Sequence, residues 1–466
     1  MRKYTIAELA RALQSREMSA LELTERYLKA IKEKNERINA YITVCEDSAL
    51  KSARRVDERR RDGEKLGALA GIPFAVKDNF CTAGIYTTCG SKMLEYYVPP
   101  YTATAVECLC DQGAVLLGKL NMDEFAMGSA SDTSIFGAVK NPLDTARTAG
   151  GSSGGSAAAV VSDMAVFALG SDTGGSVRQP AAFCGCIGLK PTRGAISRYG
   201  LVAFASSLDT VGILAGCADD ARIVFEAVRG RDSFDATSVD LPQIQACSVE
   251  NMTVGICEDT LKKSTSEVAD GILAAAEKLK QSGVRIKSVK LPDTDTYLAA
   301  YYIISSAEAS SNLGRYDGVR YGHRAVGAAS VNELFENSRT EGFGDEVKRR
   351  IMLGTYCLYG EGRREYYSRA QAAREKISAE LCTQLSECNA ILLPTSPSVA
   401  YRFSEKKPTP LEVYREDAFC VLANLAELPA LNVPYGLCDG MPVGVQLIGR
   451  KFEESTLLDI ARLLEK

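Results

Sequence analysis

The sequence predicts a layered α/β protein built on a large, mainly parallel or mixed β-sheet and preceded by helices. Three observations carry this expectation. From Gly71 onward, short apolar runs ending in Gly, Pro, Asp or Lys alternate with helical stretches, which is the texture of strands spaced by helices. Apolar residues make up 46% and charged residues 24% of the 466-residue chain, enough to bury a large core and too little polarity for long disordered segments. Proline and glycine are spread along the chain and do not gather into one linker. One domain over 1–466 is therefore expected, with a candidate seam only near 215–245.

Taken in order, the elements begin with two capped helices. Thr5 with Glu8, and Ser19 with Glu22, each fit a capping box. After the second, Leu21, Thr24, Leu28 and Ile31 fall at helical spacing, so that helix buries one face. The stretch from Arg54 to Lys65 is heavily charged and reads as a solvated helix face running into a loop. Six apolar runs then read as strands: Ile72–Val76, Ala114–Leu117, Val166–Leu169, Thr253–Ile256, Ile391–Leu393 and Val443–Leu447. No internal repeat stands out.

Charge and cysteine usage narrow the function classes. The net charge is −4, whereas a surface that grips RNA phosphates is usually basic; if RNA is involved, another chain holds most of it. The opening MRKYTIAELARALQS has no apolar run of about 7–15 residues, so no signal peptide is expected. No charge-free apolar stretch reaches about 18 residues, so no membrane span is expected either. The fifteen cysteines are irregularly spaced, with no CxxC pair and only the CxC pairs Cys108/Cys110 and Cys184/Cys186. With a single histidine, His323, a zinc site would need an all-sulfur arrangement that this spacing does not offer. The cysteines read as small buried hydrophobes of a protein in the reducing cytoplasm, and no metal is expected.

Two Gly/Ser-rich blocks dominate the chemistry: Gly150–Ser156 (GGSSGGS) and Gly170–Pro180 (GSDTGGSVRQP). A flexible linker fits them poorly, because each adjoins apolar residues that look like core. Phosphate cradling fits poorly too, since neither block carries the GxxxxGK[ST] pattern. A third reading is a catalytic serine beside backbone donors. Glycines let a chain turn tightly and expose consecutive N–H groups, and acyl transfer needs such donors for the developing oxyanion. Thr173, Gly174, Gly175 and Ser176 form such a run. A serine also needs a base. His323 lies in a polar stretch, Gly322-His323-Arg324, and reads as a surface histidine, so lysine becomes the candidate. Lys77 ends the strand Ile72–Val76, at the edge of the core, where burial among neutral hydroxyls can lower its pKa by several units. A structural lysine reaching along the core edge is the competing reading.

The two blocks and their spacing resemble the amidase signature family. That resemblance implies a single α/β/α layered domain with a large mixed sheet, its signature core at about 70–215. It implies Ser176 as nucleophile, Ser152 as a bridging serine following a cis Gly151–Ser152 bond, Lys77 as base, and an oxyanion hole from Thr173 to Ser176. A helix at Gly155–Ser162 and a returning strand at Met164–Leu169 can bring the two serines together. Ala149 stands where the family more usually has proline. Further along, Ser306–Gly322 and Glu346–Ile351 resemble the amidase subunits of glutamyl-tRNA(Gln) amidotransferases, and the similarity continues to Pro442–Gly449. This implies glutamine as substrate, its carboxylate on Arg350, its ammonium near Asp417 and Tyr301 lining the pocket. It further implies a cytoplasmic heterotrimer. Ammonia would pass to a B subunit that holds most of the tRNA and uses ATP and Mg2+ to convert Glu-tRNA(Gln) to Gln-tRNA(Gln). A small C subunit would brace the pair, and this chain would hold no cofactor. Two other readings stay open: a free-standing amidase acting on a small or acyl amide, and a non-catalytic scaffold protein within such a complex.

Overall fold

The computed structural model describes residues 4–242, 252–405 and 409–465. Its start follows the capping signals. Thr5 caps the helix Ile6–Gln14 and Ser19 caps Ala20–Ile38, each through reciprocal capping-box bonds with the glutamate three residues on. Thr24, Leu28 and Ile31 are buried on the second helix, with Leu21 half-buried. The charged stretch from Arg54 belongs to the helix Glu46–Arg61, which buries only Ala49, Ala53 and Val56 before a loop follows.

Eleven strands form one sheet: β1 (Tyr41–Val44), β2 (Pro73–Lys77), β3 (Val115–Leu120), β4 (Phe167–Asp172), β5 (Ile187–Lys190), β6 (Thr210–Ala215), β7 (Thr253–Ile256), β8 (Arg285–Ser288), β9 (Ala390–Pro394), β10 (Ala430–Cys438) and β11 (Met441–Gly449). Their order is β1-β3-β2-β4-β6-β5-β10-β11-β9-β7-β8. The pairs β3–β2, β2–β4, β9–β7 and β7–β8 are parallel. The remaining neighbours, β1–β3 and the run from β4 through β6, β5, β10 and β11 to β9, are antiparallel. The sheet is mixed, as expected, and all six anticipated strands form. The five additional strands gave weaker signals. β8 is largely exposed and carries Arg285 and Lys287, and β5 is four residues pressed between Cys186 and Pro191.

Helices cover both faces. Along β9, Leu392 joins one apolar cluster while Ile391 and Leu393 join another, the two-residue alternation of a strand buried on both sides. The first cluster includes residues of Ala20–Ile38, Gly154–Val161, Ser266–Gln281 and Glu454–Glu465, and the second those of Thr294–Leu313 and Ser368–Ser386. The expected seam at 215–245 coincides with the crossing from β6, mid-sheet, towards β7 near the far edge; its last residues, 243–245, lie outside those described. β2 and β4 are parallel neighbours. Their carboxyl ends therefore open side by side, and this is where the two Gly/Ser blocks meet.

Candidate active site

Lys77 closes β2 with its side chain fully buried. Its Nζ donates to Ser152 Oγ at 2.7 Å and to Ser171 Oγ at 3.0 Å, with the Ser171 carbonyl at 3.4 Å. Asn79 Nδ2 also donates to Ser171 Oγ, at 2.9 Å. Burial depresses the ammonium, and the more distant charges of Asp123, Asp172 and Asp209 oppose this only in part, so the pKa falls to about 7. Among the described residues no carboxylate forms an ion pair with Lys77. A buried lysine surrounded by hydroxyls is thus held where the free amine is well populated near neutrality.

Ser152 is fully buried and follows a cis Gly151–Ser152 bond. The Ser153 N–H donates to the Ser176 carbonyl at 3.0 Å, which brings Ser176 beside the Ser152 turn. Gly151 is required by close approach: a Cβ there would lie 2.1 Å from Asp123 Oδ2. After β4 the chain turns around the Asp172 carboxylate. Asp172 accepts from the Gly175 N–H at 2.9 Å, the Val177 N–H at 3.2 Å, and Arg178 Nε and Nη2 at 3.0 and 2.8 Å. Burial alone would raise this carboxyl, but the Arg178 guanidinium holds it well below the usual carboxylate range. The turn also corrects the four-donor expectation. Gly175 spends its N–H on Asp172, while the N–H groups of Thr173, Gly174 and Ser176 have no hydrogen-bond partner among the described residues. Ser176 itself is half-buried.

Arg350 lies on the helix Asp345–Leu358. Its guanidinium carbon sits 4.6 Å from the ring centres of both Tyr302 and Tyr414, an arrangement that favours a cation. Its Nε donates to Glu346 Oε1 at 2.7 Å, while its buried Nη1 lacks any hydrogen-bond partner among the described residues. The neighbouring Arg349 side chain is 47% exposed against 6% for Arg350, which separates the two by environment. Asp417 accepts from Tyr302 Oη at 2.7 Å and from Ser129 Oγ at 3.0 and 3.1 Å. Burial pushes its carboxyl up to about 7, against the lowering effect of those bonds.

Tyr301 packs against the turn that follows Asp172: a Cβ on Gly174 would lie 2.2 Å from its hydroxyl. The residue that joins Arg350 to Asp417 is its neighbour Tyr302, which the sequence reading passed over. Ser129, Tyr414, Ser171 and Asn79 were likewise missed. Consecutive residues on a helix point about 100° apart, so Tyr301-Tyr302 on Thr294–Leu313 was a detectable signal for two different contacts. His323 is remote in role, its Nε2 bonded to Glu341 at 2.7 Å. No group of three or more His, Cys, Asp or Glu is placed to hold a metal ion among the described residues, and the described cysteines are free thiols. Among the described residues, no helix is long and apolar enough to cross a membrane.

The arrangement has counterparts. Residues 22–458 match the family profile described as Amidase. The chain is 47% identical to the A subunit of the glutamyl-tRNA(Gln) amidotransferase from Thermoanaerobacter pseudethanolicus over 468 residues, covering 99% of this chain and 96% of that protein. The corresponding protein of Moorella thermoacetica is 48% identical, with the same coverage. Among solved structures, the A subunit of the glutamyl-tRNA(Gln) amidotransferase from Thermotoga maritima superposes with a TM-score of 0.82 at 41% identity, covering 100% of this chain and 94% of that one. The peptide amidase of Stenotrophomonas maltophilia gives 0.84 at 29% identity, covering 99% and 96%. The chain belongs to the amidase family and, within it, to the group formed by the amidase subunits of glutamyl-tRNA(Gln) amidotransferases.

Proposed function

We propose that this chain hydrolyses the side-chain amide of glutamine through an acyl-serine intermediate and supplies the ammonia to a partner protein. The observation that carries the chemistry is the buried Lys77 amine, 2.7 Å from Ser152 Oγ and without a carboxylate partner among the described residues. Ser176 Oγ attacks the amide carbon; its proton moves to Ser152 Oγ as the Ser152 proton moves to Lys77 Nζ. The oxyanion forms beside the N–H groups of Thr173, Gly174 and Ser176, which supply the preorganised dipoles that acyl transfer requires. The protonated relay then delivers its proton to the leaving nitrogen, and ammonia departs. Water, deprotonated through the same relay, cleaves the γ-glutamyl ester and frees Ser176.

Glutamine fits the far end of the site. Its α-carboxylate can take the unused donors of Arg350, and its ammonium can sit against Asp417, both charge-assisted contacts. Tyr301 packs the loop between that end and Ser176. By analogy with the amidotransferase proteins named above, ammonia passes to a B subunit that uses ATP and Mg2+ to amidate Glu-tRNA(Gln), with a C subunit bracing a cytoplasmic heterotrimer and tRNA held mainly by B. No cofactor is assigned to this chain. We also treat residues 1–466 as one domain, supported by the single sheet spanning the crossing near 215–245.

The test is ammonia release from glutamine, with and without the B and C subunits, for wild type and Ser176→Ala. Release that rises strongly with partners and Glu-tRNA(Gln), and vanishes in Ser176→Ala, is the expected result. Full activity of the isolated chain on other amides, with glutamine ignored, would move it to the free-standing amidases. Inactivity of the assembled wild type would leave a scaffold.

A further inference from the structure

One short segment, Asp123–Ser131, bonds to the Ser152 turn, to Asp417 and to the start of the helix that carries Arg350. The Asp123 N–H donates to the Ser152 carbonyl at 3.3 Å, beside the relay. Ser129 bonds Asp417. Between them stands Glu124, 2% exposed and unused by the chemistry above. Its Oε1 accepts from Ser91 Oγ at 2.5 Å and its Oε2 from the Gly344 N–H at 2.9 Å. The fit to Gly344 is close, since a Cβ there would lie 2.4 Å from that oxygen. Gly344 is the N-cap of Asp345–Leu358 and offers no side chain to cap it. The first turn of that helix holds Glu346, and Arg350 follows one turn later. A carboxylate at this end also suits the helix dipole.

The backbone of the segment is held tightly. Phe125, Ala126 and Ser131 adopt positive φ of 49°, 62° and 51°, a region that non-glycine residues occupy only where surroundings enforce it. Glu124 and Ser129 are therefore fixed relative to each other, one reaching towards the Arg350 helix and the other towards Asp417.

We propose that Glu124 is a positioning residue for substrate recognition: by holding Gly344 it sets the first turn of Asp345–Leu358, and so the place where Arg350 presents its guanidinium. This rests on reading Arg350 as the receptor for the glutamine carboxylate. Losing the Glu124 bond lets that helix start shift while Lys77, Ser152 and Ser176 keep their own partners. Small displacements of a charged receptor are costly, because its bidentate geometry is lost.

The experiment compares Glu124→Gln, Glu124→Ala, Arg350→Lys and the double variant Glu124→Ala/Arg350→Lys in the assembled complex. Each is assayed on glutamine and on γ-aminobutyramide, which keeps the amide and the ammonium but lacks the carboxylate. Glu124→Ala should raise KM for glutamine about tenfold, with kcat, and kcat/KM for γ-aminobutyramide, changed less than about twofold. Glu124→Gln, which preserves shape, should move in the same direction by less. The double variant should be no worse than Arg350→Lys alone, because the two act on one interaction. Equal losses on both substrates, an unchanged glutamine KM in both Glu124 variants, or multiplying effects in the double variant would overturn the proposal. If Arg350→Lys itself leaves the glutamine KM unchanged, the reading of Arg350 fails first. If it raises KM and the Glu124 variants do not, only the role of Glu124 fails.

Discussion

Two arginines are buried among the described residues, and the molecule uses them in opposite ways. Arg178 spends all five of its N–H donors on protein: Nε and Nη2 on Asp172, Nη1 on the Cys420 carbonyl at 2.9 Å and Gln446 Oε1 at 2.5 Å, and Nη2 again on Asn424 Oδ1 at 2.6 Å. Among the described residues Arg350 donates only from Nε, to Glu346, and otherwise packs against the mutually stacked rings of Tyr302 and Tyr414, whose centres lie 4.0 Å apart. Packing against aromatic rings holds a guanidinium without using its N–H donors. A fully matched arginine fastens a fold; one held against rings keeps donors for a ligand. The same contrast separates the two ends of the site. The end that holds Ser176 is locked by backbone and carboxylate bonds around Asp172, whereas the end that holds Arg350 and Asp417 is built from tyrosines and carries unspent hydrogen-bonding capacity.

That contrast can be broken most severely at Arg178. Arg178→Met strands the buried Asp172 carboxylate and should cost about 3–5 kcal/mol of stability in chemical denaturation. A cost under about 1 kcal/mol would put Arg178 in the same class as Arg350. Arg350→Lys should do the reverse, raising KM for glutamine about 30- to 100-fold through loss of the planar donor edge, with the denaturation midpoint nearly unmoved. A large stability loss would make Arg350 structural.

The pH dependence divides the two ends as well. In the proposed reaction Lys77 works as the free amine, and burial lowers its pKa to about 7; kcat should therefore fall about tenfold per pH unit below that value. On the proposed binding mode Asp417 pairs with the ammonium as the carboxylate, and burial raises it to about 7, so KM should climb over the same acid range. In Asp417→Asn the acid rise of KM should disappear while the fall of kcat stays. If both persist, Asp417 is not the titrating group. The smallest expected effect is that of Tyr302→Phe, which keeps the ring under Arg350 and removes the 2.7 Å bond to Asp417. Loss of one such bond, about 1 kcal/mol, corresponds to a KM increase of about fivefold.

The meeting of Lys77, Ser152 and the Ser176 turn was legible in the sequence because its parts are local. Lys77 ends an apolar run, and two Gly/Ser blocks lie within one helix and one strand of each other, so composition and spacing expose them. The cluster around Arg350 and Asp417 was legible only in outline. Ser129, Tyr302, Arg350 and the pair Tyr414 and Asp417 come from four separate segments, and nothing in local pattern says which tyrosine of Tyr301-Tyr302 meets the arginine. Gly175 was misjudged for a related reason: a glycine run advertises exposed N–H groups, but the turn around Asp172 claims one of them. In the sheet, strands with apolar runs were visible, while the charged edge β8 and the short β5 owe their conformation to pairing and not to their own composition.

If Ser176 carries the acyl group, it can be trapped covalently. The assembled protein would be treated with a diazoketone analogue of glutamine and the adduct located by peptide mass spectrometry. One modified residue is expected, Ser176, with the adduct suppressed by glutamine and missing in Ser176→Ala and Lys77→Met. An adduct on Cys420, whose side chain packs against Gly175, or labelling that survives Ser176→Ala, would contradict it.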